Sequence, residues 1–489
     1  MKNSQQTVDQ TMELARKAYS FFKVCPGTDK AAFLRLIGRK IEAIGDELIF
    51  TATEETLLPE GRIRGERGRT IGQLNQFAEL LEEGSWVDAS IDTADTTTSG
   101  ADLRRMLVPM GPVVVFGAGN FPLAFSVAGG DTASALAGGN PVVVKAHPAH
   151  PRTGQLVAQA IRQSLEQLNW PEGIFGFIED SSYQSGQLLV QHPETKSVGF
   201  TGSLSGGTAL LKLAAGRDEP IPVFAEMGSV NPVVLFPEAL QSRPAQIAAD
   251  LVASINMGAG QFCTNPGLVI TSKGEGFSEF LQKLATGISR AASNGMFSDS
   301  VYKNYRLHSE KVIIHEQISL LAKGADSISR EAVTPSVATV SAVDFIHAPE
   351  LREEVFGPFS LVVICDSTAQ QLEVIESLGG QLTTTLQASE TDLKNEKQLV
   401  DTMIEKCGRI LFNGVPTGVE VCTSMQHGGP FPAASDSRFT SVGTAAIKRF
   451  VRPVSFQDFP QFALPAELKN ANPLNIWRKL NTKWSKDKL

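Results

Sequence analysis

Five short segments of this chain carry residues whose types could do chemistry. In Gly258-Ala259-Gly260-Gln261-Phe262-Cys263-Thr264-Asn265-Pro266, a cysteine follows a helical stretch, sits among small residues and precedes a proline. A sulfur nucleophile needs access and a lowered pKa, and the small neighbours supply the access. Phe224-Ala225-Glu226-Met227-Gly228-Ser229-Val230-Asn231-Pro232 ends an apolar run on a carboxylate. Burial there raises the carboxyl pKa towards neutrality, which suits a general base. Phe116-Gly117-Ala118-Gly119-Asn120-Phe121-Pro122 follows a valine run; its glycines admit a close ligand, and Asn120 can donate two N–H bonds. Gly199-Phe200-Thr201-Gly202-Ser203-Leu204-Ser205-Gly206-Gly207 can seat a phosphate on a helix N-terminus, and Lys145 closes its own valine run with a cation. Glu353-Glu354-Val355-Phe356-Gly357-Pro358-Phe359 sets acids before an aromatic and a turn.

Taken alone, each segment reads more readily as structure: a buried small hydrophobe, a capping carboxylate, a strand-to-helix turn or a solvated loop. The glycine segments match neither a complete dinucleotide fingerprint nor a Walker motif. His147 and His150 are three apart, but Pro148 and Pro151 break the helix that would align them, so no metal site is expected. The other cysteines, Cys25, Cys365, Cys407 and Cys422, lie in apolar or helical contexts and read as buried small hydrophobes.

The elements that must position these residues are legible from periodicity. Helical spacing runs through residues 7–50, with a break at Pro26-Gly27, and again through about 67–83. Residues 88–102 are polar and read as a loop. From Leu103 short β-rich runs alternate with helices: 112–116, a helix at about 122–138, 141–145, a helix at about 152–168, 174–178, a short helix at 185–191, and 197–200. A second alternating region follows Pro232. The pattern predicts an α/β fold of parallel sheets covered on both faces, with ligands beyond the carboxyl ends of the strands. The last residues, rich in lysine and arginine, read as an exposed basic tail.

At 489 residues the chain has room for two to four domains of roughly 150 residues. It is 42% hydrophobic and 20% charged, which excludes collagenous, disulfide-scaffold and largely disordered classes. The net charge of −8 argues against a nucleic-acid partner. Five scattered cysteines, a polar start and the lack of a long apolar run point to a cytoplasmic protein with no membrane span.

Order and spacing make the set of segments more specific than any member. The GxxNFP loop, the VVVK strand, FTGS, E-x-G-x-x-x-P, G-Q-x-C and E-E-x-F-G-P resemble the aldehyde dehydrogenase superfamily, from about residue 7 to about 460. FPLAFSVAGGDTASALAGGNPVVVK, NGVPTGVEVCTSMQHGGPFPA and TSVGTAAIKRF are similar to its bacterial α-ketoglutarate semialdehyde (2,5-dioxopentanoate) dehydrogenase branch. The resemblance implies two Rossmann-like open parallel-sheet domains plus a small oligomerisation element. Residues 1–228 would form the nucleotide-binding domain, with an excursion at about 85–103 for oligomerisation. Residues 229–430 would form the catalytic thiol domain. Residues 431–489 would return to the substrate tunnel and a subunit contact, in a homodimer or higher homo-oligomer.

The resemblance also assigns roles. Cys263 would be the nucleophile, Glu226 the base that activates water, and Asn120 a donor to the developing oxyanion. Phe116, Gly117, Lys145, His147, Pro148, Ser203, Gly207, Glu354 and Phe356 would line the cofactor cleft. NAD-preferring relatives often carry an acid three residues after the strand lysine; here Pro148 stands there, which favours NADP while leaving NAD possible. The substrate would be an aldehyde, most specifically 2,5-dioxopentanoate, whose carboxylate needs a cation. Arg438 is the expected clamp, Arg62 and Arg69 border the same tunnel, and His427 is placed near the thiol. The alternatives are a broad or long-chain aldehyde oxidiser, an acylating enzyme that passes the acyl group to coenzyme A, and a non-catalytic family member with a binding or structural role.

Overall fold

The computed structural model describes residues 2–94, 100–180, 182–325 and 332–489. Residues 95–99 of the expected excursion therefore lie outside the described residues.

Each valine run is a strand because both of its faces can be buried. In Val113–Phe116, Val113 and Val115 point into one apolar cluster with the N-terminal helices, while Val114 faces another that includes Val8, Met12 and Val198. Five parallel strands stand in the spatial order Phe175–Ile178, Val142–Lys145, Val113–Phe116, Ser197–Thr201, Val223–Glu226. The chain starts in the middle, moves outward one way, then returns to fill the other side. This reversal opens a crevice at the carboxyl ends of Val113–Phe116 and Ser197–Thr201, where the Gly117–Asn120 and Gly202–Ser203 loops begin.

A second sheet has seven strands in the order Ser319–Lys323, Ser336–Ser341, Phe359–Cys365, Leu268–Ser272, Val233–Leu235, Gln381–Gln387, Cys407–Phe412. All pairings are parallel except that of the edge strand Ser319–Lys323. Its two faces are buried in separate clusters, one around Val234, Ile270 and Val363 and one around Val233, Val269 and Val362. The fold is thus the expected α/β architecture of two open, mainly parallel sheets.

Two expectations need correction and a third gains detail. The glycine- and alanine-rich stretch is helical only over Gly130–Ala137. Upstream, the Glu66 carboxylate accepts the backbone N–H groups of Leu123 (2.8 Å) and Ala124 (2.9 Å), and Ala118 N–H donates to Phe125 O (2.8 Å). Those bonds fold residues 118–129 into successive turns. The polar loop at 88–102 contains a strand, Ser90–Asp92, and Leu103–Pro109 pairs beside it. The lysines of the basic tail are exposed as expected, and the tail is also ordered: Arg478–Leu480 and Lys483–Ser485 complete a third sheet with Ser90–Asp92, Leu103–Pro109 and Val451–Gln457. Arg478 is fully buried because backbone carbonyls of Lys469 and Asp487 accept its N–H groups. No helix among the described residues is long and apolar enough to cross a membrane.

Helix Gly130–Ala137 is tied to the C-terminal region by a buried ion pair between Asp131 and Arg449 (2.7 Å). Removing one partner of such a pair strands the other charge, at a cost of about 3–5 kcal/mol. Asp131→Ala should therefore lower the denaturation midpoint by several degrees; an unchanged midpoint would show that the pair contributes nothing.

Candidate active site

Glu226 ends the last strand of the first sheet and points away from solvent, with 4% of its surface exposed. The free edge of this strand is covered by the C-terminal loop: Met227 N–H donates to Ala433 O (2.8 Å) and Ser435 N–H to Ala225 O (2.9 Å). The same loop delivers His427 and Ser441. His427 Nε2 lies 3.0 Å from Glu226 Oε1 and 3.4 Å from Cys263 Sγ, and Ser441 Oγ donates to Glu226 Oε2. Burial alone would push the Glu226 carboxyl up. The His427 ring, together with hydrogen bonds from His427, Ser441 and Cys263, outweighs it and holds the group below its ordinary value. The expected rise towards neutrality is overturned, because His427 and Ser441, on a loop far along the chain, donate to the carboxylate.

Cys263 is half-buried and lies beyond helix Pro244–Asn256. Between them Gly258, Ala259 and Gly260 all take left-handed φ angles of 55°, 56° and 65°. For Ala259 that conformation is unusual, and it persists because the surroundings fix it. A Cβ on Gly260 would stand 2.3 Å from the Gly357 backbone, so glycine is needed for this close approach. Asn231 Nδ2 donates to the carbonyls of Cys263 and Asn265 (both 2.9 Å), and Gln381 Oε1 accepts from Val230 N–H (2.9 Å). Burial and the charges of Glu226 and Glu354 push the thiol well above its ordinary pKa. In this state the sulfur holds its proton, so the lowered pKa sought at Cys263 is absent.

Asn120 Nδ2 donates to Gln261 O (3.0 Å), two residues before the sulfur. Its loop is anchored by Arg62 Nη2, which donates to Asn120 O (3.1 Å), and by Glu66. Cys263, Glu226, His427 and Asn120 are therefore gathered from four distant parts of the chain. The ligand-type atoms of the first three lie within 4.8 Å of one another, a combination that can also hold a metal ion. No such site was expected.

The candidate cofactor residues lie at or beyond the carboxyl ends of strands of the first sheet, or just before the strand Phe359–Cys365 of the second. Phe116 and Lys145 sit opposite each other in strand register. Burial pulls the Lys145 ammonium down, and the nearby Asp180 charge partly opposes it. Pro148 is exposed. Ser203 caps helix Leu204–Ala215, accepting from Gly206 N–H (3.2 Å), and a Cβ on Gly207 would meet Met227 Sδ at 2.5 Å. His147 packs beneath Gly119, stacked on His150 with ring centroids 5.1 Å apart, and burial lowers its pKa to about 3. It is a neutral support of the loop. Glu354 is bonded to Ser229 N–H and lies against Gly228, and burial raises its pKa to about 8. With Phe356, Ser229, Phe262 and Asn265 it lines a cleft of about 430 Å³, open to solvent.

The arginines divide. Arg62 and Arg69 are close enough for their charges to act on Cys263. So is Arg409, which sequence reasoning missed; it lies within the strand Cys407–Phe412, opposite Thr383. Arg438 does not join them: its side chain is exposed, and Nε donates to Asp436 Oδ1 (2.9 Å). Asn231, Glu66 and Ser441 were also missed. Of these only Glu66 left a signal, since Arg62, Glu66 and Arg69 recur at i, i+4 and i+7 on one helix face.

The model of the aldehyde dehydrogenase family matches residues 1–431. The chain is 46% identical over 478 residues to alpha-ketoglutaric semialdehyde dehydrogenase 2 of Azospirillum brasilense, covering 97% of this chain and 91% of that protein. It is 46% identical over 485 residues to alpha-ketoglutaric semialdehyde dehydrogenase of Acinetobacter baylyi, covering 98% and 92%. Among solved structures, a 1-pyrroline-5-carboxylate dehydrogenase superposes with TM-score 0.80 at 20% identity, covering 93% of this chain and 86% of that one. The Thermus 1-pyrroline-5-carboxylate dehydrogenase with bound NAD gives 0.79 at 20% identity, covering 92% and 85%.

A thiol held protonated should react slowly with iodoacetamide near neutrality. For the free chain, the rate at Cys263 is expected to climb about tenfold per pH unit through pH 8.5 without a plateau. Glu226→Gln removes a repelling charge and should move that rise to lower pH. A plateau below pH 8 would contradict the account.

Proposed function

Because the chain belongs to the aldehyde dehydrogenase family, we propose that it oxidises 2,5-dioxopentanoate to 2-oxoglutarate through a thioester on Cys263, using a nicotinamide dinucleotide. The observation that carries this reading is the convergence of a thiol, a buried carboxylate and a histidine ring at one point between two sheets. The 46% identity to two semialdehyde dehydrogenases over nearly the whole chain supports the substrate.

Cys263 Sγ attacks the aldehyde carbon, forming a C–S bond, while its proton passes to the Glu226–His427 pair. Asn120 has a second amide N–H beyond the one on Gln261 O, and that donor would meet the developing oxyanion. Losing such a donor typically costs about 3–4 kcal/mol of barrier. A bound nicotinamide supplies the two-electron acceptor that turns the adduct into a thioester. Glu226 then takes a proton from water as that water adds to the thioester carbonyl, and Cys263 leaves as the acid forms.

The residues present fit such a cofactor. Ser203 and the N-terminus of its helix would receive the pyrophosphate, and Lys145 the adenosine ribose. Glu354 is a half-buried carboxyl that accepts a backbone N–H, and ribose hydroxyls would supply further donors. Pro148 in place of an acid, together with Lys145, supports NADP, with NAD also used. We further propose residues 1–228 as the nucleotide-binding unit and 229–430 as the thiol unit. Residues 431–489 would serve the tunnel and a contact between subunits of a homo-oligomer. Retention of Glu226 supports hydrolysis over transfer to coenzyme A.

The test is a panel of aldehydes with both nucleotides, read by absorbance of the reduced cofactor. Dioxopentanoate should give the highest kcat/KM, and Cys263→Ser should lose more than about 10³ of it. Equal rates for hexanal, or full activity of the serine variant, would contradict the reading.

Glu354 yields a second expectation. Its carboxyl titrates near 8 in the free chain, and ribose hydroxyls donate to the ionised form, so binding releases a proton. Nucleotide affinity should rise between pH 6.5 and 8.5 and level off above. Glu354→Gln should flatten that rise in a direct binding titration; an unchanged slope would exclude Glu354 as its origin.

A further inference from the structure

Three guanidinium groups converge on the thiol, and the structure accounts for two of them. Arg62 is satisfied locally: Nε lies 3.6 Å from Glu66 Oε2, Nη2 donates to Asn120 O, and the group stands 4.5 Å from the ring centroids of both Phe121 and Phe262. Arg409 Nη2 donates to the carbonyls of Pro416 (2.8 Å) and Gly418 (2.9 Å), holding the turn that follows its strand.

Arg69 has no comparable explanation. Its Nε and Nη2 are both buried without a hydrogen-bond partner, and among the described residues no carboxylate lies within ion-pair distance of it. Its neighbours are the faces of Phe125 and Phe121, at 5.0 and 6.0 Å from the ring centroids. Stripping a guanidinium of water and giving it no acceptor is costly, and native structures pair such groups. The two unpartnered nitrogens are also the pair whose N–H bonds lie parallel along one edge of the guanidinium. That edge matches the two oxygens of a carboxylate in a bidentate contact.

The surroundings fit one kind of visitor. Phe121, Phe125 and Val442 form an apolar cluster, with Phe262, Val419, Val421 and Met425 against it. A short aldehyde chain can lie along such walls, and Arg69 offers its open fork to a carboxylate there. Arg438, the clamp expected from the sequence, already spends its charge on Asp436 at the surface.

We propose that Arg69 is the receptor for the distal carboxylate of the substrate, and so the residue that makes this enzyme select an acid aldehyde over a neutral one. The proposal rests on the reading of the chain as a Cys263-dependent aldehyde dehydrogenase. Arg69 binds and orients the substrate and takes no part in proton or hydride movement.

The test compares 2,5-dioxopentanoate with pentanal, a neutral aldehyde of the same chain length, in wild type, Arg69→Met, Arg69→Lys and Arg438→Ala. The quantity read is the ratio of the two kcat/KM values, which general damage to the fold leaves unmoved. In Arg69→Met the ratio should fall about 100-fold, chiefly through KM for the acid. Arg69→Lys keeps the charge without the fork and should fall about tenfold. Arg438→Ala should retain the wild-type ratio. Folding is checked by a nucleotide-dependent thermal shift; if Arg69→Met fails that check, Arg69→Lys carries the test. An undiminished ratio in the folded Arg69 variant overturns the proposal, as does a ratio that collapses in Arg438→Ala instead. A wild type with no preference for the acid overturns the substrate reading itself, a separate outcome.

Discussion

A carboxylate buried between two sheets has to be kept ionised, and this molecule does so with a histidine ring and a serine hydroxyl. Glu226 is nearly sealed from water, where a lone carboxyl would take up a proton. His427 and Ser441, supplied by one loop, reverse that tendency. Burial, with that negative charge alongside, keeps Cys263 protonated. A base that is charged and a thiol that is not form a matched pair, since proton transfer from one to the other creates the nucleophile only when it is needed.

Much of the remaining structure exists to hold that pair in place. The C-terminal loop pairs along the free edge of Val223–Glu226, which fixes His427 and Ser441 relative to Glu226. Asn231 ties the segment after Glu226 to the backbone of Cys263, joining base and thiol through the chain itself. Glu66, on the helix Glu60–Glu83, grips the loop behind Asn120. A charge in a low-dielectric site is sensitive to small displacements, so each anchor is a polar group with several defined bonds.

The valine strands were legible because a run buried on both faces has few alternatives, and the carboxyl-end loops then marked the crevice. Helix Gly130–Ala137 was overextended because small apolar residues look helical, whereas a carboxylate 57 positions upstream captures Leu123 N–H. The sheet in the tail was not legible because Arg478 is buried through bonds to backbone carbonyls, a use that charge patterning does not reveal. His427 lies 164 positions from Cys263, so no spacing rule links them; only the family resemblance placed that ring near the sulfur. Arg69 and Arg438 were indistinguishable by residue type. Burial, a tertiary property, separates them, whereas the acid that pairs with Arg438 stands only two residues before it in the sequence.

The pairing of Glu226 with Cys263 is tested most directly by trapping what the base should release. Glu226→Gln is mixed with 2,5-dioxopentanoate and oxidised nucleotide, quenched, digested and weighed by mass spectrometry. The account predicts slow accumulation of one acyl group on the peptide carrying Cys263, because the thiol must lose its proton without the carboxylate, matched by one equivalent of reduced nucleotide per chain and little further turnover. A variant that turns over at the wild-type rate with an unmodified Cys263 peptide would contradict it.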